Sequence, residues 1–278
     1  MMICGACERS LLEGAYSGEQ RDRRQSIRRC EGCVSAGNQL VLMTKGRTRS
    51  EEDECPICNL LLPLDVNQSV FRPCCMKEVC VGCFAAAWKR GMRGCPFCRT
   101  PDPEDNSQTL AMIKKRADAG DPKAIYVLGD KYRLGDCGLK KDVARAVELY
   151  ERAAELDSKD AHFRLGLLYY QGTNVEKDTA KALGHYEAAA MRGHVPARNN
   201  LGCEEANAGN FDLALQHWMI SVKMGQDKSL DSIKEMFMKG LATKDDYAEA
   251  LREYQSAVEE MRSTERDEFK RLQNLRRG

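Results

Sequence analysis

Twelve of the fourteen cysteines lie in the first 98 residues, and their spacing is the feature of this sequence that can do chemistry. They form five Cys-x-x-Cys pairs (Cys4/Cys7, Cys30/Cys33, Cys55/Cys58, Cys80/Cys83 and Cys95/Cys98) and one adjacent pair, Cys74/Cys75. A Cys-x-x-Cys turn brings two sulfurs to one side at the separation a tetrahedral metal needs, so six pairs supply three four-thiolate sites. The four histidines, His162, His185, His194 and His217, all lie far downstream, so a metal in the first hundred residues is bound by sulfur alone. Soft thiolates select zinc over magnesium or calcium, and an iron–sulfur cluster is the alternative for the same ligands. Four protein ligands leave zinc no open position, which makes these ions structural rather than Lewis acids. A thioredoxin-like redox pair would want a parallel βαβ pattern nearby, and none is visible.

Composition narrows the function further. The 278 residues suit about two domains. With 43 Lys and Arg against 42 Asp and Glu the formal charge is +1, and three zinc–tetrathiolate sites would move it to about −5. Neither nucleic acid nor an anionic membrane is an expected partner. No run of about eighteen apolar residues is present to cross a bilayer. The start MMICGACERS has no basic-then-apolar leader, so an intracellular protein, cytoplasmic or nuclear, with reduced thiols is expected. One basic stretch, Arg21 to Arg29, could touch phosphate. The plainer reading is a solvated helix face offsetting an anionic zinc site.

The elements that must carry these cysteines differ sharply from those that follow. From about Ser107 the chain becomes rich in Ala, Leu, Lys and Glu, and it repeats. Leu-Gly recurs at Gly129, Gly166 and Gly202, and an aromatic follows in phase at Tyr150, Tyr186, Trp218 and Tyr254. Each unit reads as two short amphipathic helices, which must stack to bury their apolar faces. Asp121-Pro122 marks a helix start, and Gly172 and Gly193 mark stops. The small residues Ala124, Gly129, Ala153 and Ala154 let paired helices approach while Tyr and Leu fill the gaps. The last helix starts near Lys244 and carries Leu251, Tyr254, Val258 and Met261 on one stripe.

The A-x-x-x-L-G…Y-x-x-G…D-x-x-x-A…Y-x-x-A-A-x-x-G pattern, clearest over 161–193, resembles the Sel1-like repeat, a relative of the tetratricopeptide repeat. The resemblance covers roughly residues 107–262 and implies a solenoid that binds a protein substrate or partner. The third unit departs by a shorter inter-helix loop, and the fourth lacks the Leu-Gly.

The spacing from Cys55 to Cys98 resembles a RING finger in an all-cysteine form. In that family the pairs bind metal alternately, which implies Cys55, Cys58, Cys80 and Cys83 on one zinc and Cys74, Cys75, Cys95 and Cys98 on the other. The adjacent Cys74-Cys75 departs from the usual Cys-x-His, and the tighter fit of adjacent ligands on one metal implies a distorted or weaker second site. The resemblance further implies that Ile57, Trp88, Pro96 and Arg99 contact a ubiquitin-conjugating enzyme, with no covalent catalytic residue. Ile57 and Pro96 equally fit as shapers of the metal turns, Trp88 as a core aromatic and Arg99 as a solvated charge. Cys4, Cys7, Cys30 and Cys33 resemble a small single-zinc finger.

The expected protein is mainly α, with small zinc-stabilised α+β modules followed by a helical repeat solenoid. Residues 1–35 are a four-cysteine zinc finger, 36–54 a linker, 55–99 a RING-type finger, 100–106 a second linker, 107–262 the repeats and 263–278 a C-terminal helix extension. The expected function is that of a RING-type ubiquitin ligase selecting substrate with its repeats; the alternative is a non-enzymatic adaptor. A chelator is expected to unfold residues 1–100 and spare the solenoid.

Overall fold

A computed structural model describes residues 1–275, so the last three residues of the C-terminal extension lie outside it. The N-terminal third is small and irregular. A two-residue hairpin, β1 (Met2–Ile3) with β2 (Ser10–Leu11), opens the chain, followed by the short helices α1 (Gly18–Asp22), α2 (Glu31–Ser35) and α3 (Val41–Thr44). The eight-cysteine segment holds a second antiparallel hairpin, β3 (Ser69–Arg72) with β4 (Lys77–Cys80), and the helix α4 (Val81–Lys89). Cores here are little more than the sulfurs and one or two apolar partners: Tyr16 among Cys4, Cys30 and Cys33, and Leu62 with Val79 beside Cys55, Cys80 and Cys83.

The remainder is an antiparallel helical solenoid: α5 (Asn106–Asp118), α6 (Pro122–Leu134), α7 (Val143–Glu155), α8 (Lys159–Gln171), α9 (Thr179–Met191), α10 (Val195–Asn207), α11 (Phe211–Lys223), α12 (Asp227–Met238) and α13 (Lys244–Glu260). Side-chain caps start the helices. Asp121 accepts from the backbone N–H groups of Lys123 and Ala124, and Asp142, Ser158 and Asp178 cap α7, α8 and α9 in the same way. Gly135 and Gly172 end α6 and α8 in the left-handed conformation. The expected stripe on α13 holds in part: Tyr254 and Met261 are partly buried, Leu251 and Val258 stay exposed, and the buried residues are Ala250 and Ala257. No helix among the described residues is long and apolar enough to cross a membrane.

Each Leu-Gly receives an aromatic ring from the following helix. A methyl group at Gly166 would lie 2.6 Å from Cδ1 and Cε1 of Tyr186; at Gly129 it would meet Tyr150, and at Gly202 the Trp218 indole. The rings of Tyr150 and Tyr186 are fully buried and cannot retreat. Gly166→Ala is therefore expected to cost about 1–3 kcal/mol through overpacking. Gly184 in the neighbouring helix has nothing near its missing methyl. Gly184→Ala should be neutral or gain up to about 1 kcal/mol from helix propensity. Urea midpoints of the two variants compared side by side check the pair; equal midpoints would show that the ring contact does not matter.

The N-terminal third is not tethered loosely to this solenoid. Residues 36–54 are no free linker: Leu40, Leu42 and Met43 are buried together with Tyr186, Val195 and Leu201 of the repeats. The guanidinium of Arg198, fully buried on α10, donates to the carbonyls of Leu42 (2.7 Å), Lys45 (2.7 Å) and Ala190 (3.0 Å). Lys159 of α8 bonds Ser50 Oγ at 2.7 Å and Asp53 Oδ2 at 2.6 Å. The second hairpin packs Phe71 and Met76 against the cluster of Ile113 and Ile125. In residues 100–106, Asp102 pairs with the buried Arg72.

The basic stretch is also corrected. Arg24 reaches Glu187 at 2.7 Å and the buried Glu205 at 2.5 Å, both on the solenoid. Arg28 donates to the carbonyls of Gln20, Arg21 and Arg23. These two arginines satisfy internal acceptors and present neither a solvated face nor a phosphate site. His217 on α11 is fully buried.

Candidate metal centres

The local backbone explains how each sulfur is aimed. Backbone N–H groups of two Cys-x-x-Cys turns point at the turn's own first sulfur: Cys83 N–H donates to Cys80 Sγ at 3.4 Å and Cys98 N–H to Cys95 Sγ at 3.5 Å. Residues just past the second cysteine adopt positive φ where the turn closes, at Glu8, Asn59 and Arg99. These turns bring the sulfurs into three groups of four: Cys4, Cys7, Cys30, Cys33; Cys55, Cys58, Cys80, Cys83; and Cys74, Cys75, Cys95, Cys98. Within each group all the Sγ atoms lie within 4.8 Å of one another. The second and third groups interleave along the chain, so the two centres share one small scaffold. Adjacent Cys74 and Cys75 both reach the third group, whose ligands are the least buried of the three.

The thiols are too crowded to ionise together. Cys55 is driven down to about 4, first by its bond with Cys80 and then by backbone N–H groups, while the same contact drives Cys80 up. The Cys7 thiol falls to about 6 because the Arg9 guanidinium donates to it at 3.5 Å. Burial pushes Cys74 upward. A divalent ion that accepts four thiolates resolves this competition and releases protons as it binds. The all-sulfur donor set, with four cysteines per group, fits zinc. A zinc–tetrathiolate centre carries a formal −2, and cations stand beside two of the three. Arg9 is at the first; Arg266 donates to Cys58 Sγ at 3.5 Å in the second.

The four surface residues of the eight-cysteine module lie at different depths. Ile57 is 43 % exposed and Trp88 49 % exposed, Arg99 is exposed, and Pro96 is partly buried. Trp88 stacks near Phe84 at 6.4 Å between ring centroids and carries the Arg93 guanidinium 4.1 Å over its ring. It is not the core aromatic of the module.

Sequence reasoning expected a helical extension here but missed where it docks. The chain breaks after α13 and folds back as α14 (Thr264–Leu275), which lies against α4. Arg266 is 3 % exposed and donates to the carbonyls of Leu60 and Leu61 as well as to Cys58. Lys89 pairs with Glu268 at 2.7 Å. Phe269, Leu272 and Leu275 at three-residue spacing were the signal for an apolar stripe here.

Between the modules a groove of about 640 Å³ remains open. Phe163 and Leu167 of α8, Asn200 of α10, Tyr254 and Val258 of α13, and Leu64 line it.

The family model for the Sel1 repeat matches residues 122–158 and 159–194. Residues 122–194 are two Sel1 repeats. Two solved structures share the fold. A Sel1 repeat protein from Oxalobacter formigenes is 25% identical with a TM-score of 0.50, covering 64% of this chain and 71% of that one. A protective antigen of uropathogenic Escherichia coli, described as displaying an SLR fold, is 24% identical with a TM-score of 0.50, over 66% and 38%. Among curated relatives, chitin synthase regulatory factor 3 of Schizosaccharomyces pombe is 32% identical over 121 residues, 42% of this chain and 13% of that protein. Protein sel-1 homolog 2 of Mus musculus is 27% identical over 119 residues, 41% of this chain and 17% of that protein. The matched segments thus span less than a fifth of those relatives. The Sel1 solenoid is a protein–protein interaction fold, here joined to three cysteine tetrads positioned to bind metal.

Proposed function

We propose that the chain is a zinc-dependent RING-type ubiquitin ligase, with Cys4, Cys7, Cys30 and Cys33 forming a separate structural zinc finger. The interleaved tetrads carry this reading. Cys55, Cys58, Cys80 and Cys83 alternate along the chain with Cys74, Cys75, Cys95 and Cys98, a cross-brace whose use is to hold Ile57, Trp88 and Pro96 in fixed relation. No side chain forms a covalent intermediate. The module binds a charged conjugating enzyme on Ile57, Trp88 and Pro96. Arg99, exposed at the last metal turn, donates to ubiquitin and holds its flexible tail for attack by a substrate lysine, a positioning effect. The substrate segment lies in the groove between α8, α10 and α13, since residues 40–53 already cover part of the repeats.

Ile57→Ala and Arg99→Ala test the reading. Each is expected to slow discharge of ubiquitin from a charged conjugating enzyme to free lysine on the order of tenfold, with zinc content unchanged. Normal discharge in both, or none by the unaltered chain with any of a panel of conjugating enzymes, would leave a non-enzymatic adaptor. Deleting residues 107–278 is a poor substitute, because it would expose Phe71 and Met76 and remove Arg266 from the second centre.

A further inference from the structure

We propose that α14 is one wall of the conjugating-enzyme docking surface, and that Phe269 and Leu272 extend it beyond the RING-type module itself. This rests on the ligase reading above and names a part of the same site that lies some 170 residues away in sequence from α4.

Three observations carry it. First, α14 runs alongside α4 from one proposed contact residue to the other. Its N-terminal end is fixed at the metal turn that bears Ile57, where Arg266 bonds Cys58 Sγ and the carbonyls of Leu60 and Leu61. Its later turns reach Trp88. Phe269 and Leu272 face Phe84, Ala85 and Trp88 across a groove of about 520 Å³ whose walls are nearly all apolar. Second, the helix is built in rather than strapped on. A methyl group at Gly82 would lie 2.6 Å from the Arg266 backbone nitrogen, so the two helices touch backbone to side-chainless backbone. The buried Arg266 cation sits beside a centre that would carry −2 with zinc bound. Third, α14 leaves the face open. Ile57 and Trp88 keep 43 % and 49 % of their surface with the helix docked, and Leu272 keeps 41 %. A lid would have buried them. What remains is an apolar groove walled by Trp88 and Leu272, with Ile57 exposed at the metal turn that anchors α14, of the composition that the centre of a protein interface requires. Its occupant is the conjugating enzyme because Trp88, which that enzyme would contact, is itself one wall of the groove.

The test keeps the full chain. Leu272→Asp places a charge in the groove at a half-exposed position, while Arg266 still anchors the helix. Lys270→Gln makes the same change in net charge on the flank that faces the repeat groove. Both are read for zinc content, melting temperature, affinity for a panel of ubiquitin-conjugating enzymes and discharge to free lysine. Leu272→Asp is expected to weaken enzyme binding about fivefold or more, with normal zinc and melting, and Lys270→Gln to leave binding unchanged. Unaltered binding by Leu272→Asp, in a chain where Ile57→Ala does weaken it, overturns this proposal alone. Faster discharge by Leu272→Asp makes α14 a lid and also overturns it. Absence of binding and discharge in the unaltered chain removes the ligase reading and this one together.

Discussion

Stripping metal from the full chain is expected to release three equivalents of zinc and to unfold more than the first hundred residues. Structural zinc contributes on the order of 10–16 kcal/mol of apparent binding energy in finger peptides. The modules here have almost nothing else: Tyr16 among three sulfurs, and Leu62 and Val79 among three more. Without the ion, the crowded thiols must reprotonate and move apart. A sequence-only reading confines the damage to residues 1–100. The tertiary contacts do not allow that. When the first finger opens, Ile27, Leu40, Leu42 and Met43 leave the cluster they share with Tyr186 and Leu201, and the apolar faces of α9 and α10 meet water. When the second centre opens, Arg266 loses the loop at Cys58 to Leu61, and α14 loses its partner. The core around Ile125, Leu149 and Leu165 loses only Met76 and Phe71. Hydrogen exchange after chelation should therefore rise over residues 1–100, α14 and α9–α10, while α6–α8 keep most of their protection. Gently purified material with no zinc by elemental analysis would sink the idea at its base; a rise confined to residues 1–100 would refute the coupling.

Replacing Arg198 with Met is expected to cost about 3 kcal/mol or more and to free residues 40–50 from the repeats. Among the described residues its guanidinium has no carboxylate partner. Three carbonyls within 3.0 Å hold it, one of them Ala190 at the C-terminal end of α9, where the helix dipole is negative. Burial, with Arg47 nearby, lowers it to about 10, so it stays charged at neutral pH. His217 stands 3.5 Å away and is held neutral well below its ordinary value, by burial first and then by Arg198 and Arg24. A neutral imidazole can accept from the cation; a charged one would repel it. Methionine fills comparable space but leaves the carbonyls of Leu42 and Lys45 without a donor, and buried unpaired carbonyls are expensive. The check is a lower urea midpoint together with lost amide protection over residues 40–50 and retained protection in α6–α8. Wild-type protection across 40–50 would show that Leu40, Leu42 and Met43 alone hold the segment.

Much of this molecule was written locally. A Cys-x-x-Cys turn is a short-range device, so the cysteine pairs could be read from spacing alone. The repeats were equally legible, because a helix pair that cannot bury its own face must recur. The Gly166–Tyr186 contact follows from that recurrence, with a small residue on one helix and a ring on the next. Other features have no local signature. Arg198 in ARNN looks like any polar helix residue, and only three distant carbonyls make it a buried anchor. Arg21 to Arg29 read as a solvated charge run because Glu187 and Glu205 lie more than 150 residues away. The segment 36–54 read as a linker because Leu40, Leu42 and Met43 are too few to form a core and acquire one only from the solenoid. Residues 263–278 read as a helix extension, and only the fold shows that this helix, α14, lies against α4.

The amino-acid order alone thus determined which cysteines pair in turns and which helices must stack, since both follow from contacts a few residues to one repeat apart, whereas which pairs gather into one tetrad is seen in the fold. The tertiary structure decided that the two halves are one body and that the chain's last helix flanks its metal-binding module. Those contacts join surfaces whose charge and apolar patterns are each unremarkable alone and become specific only when paired across the fold.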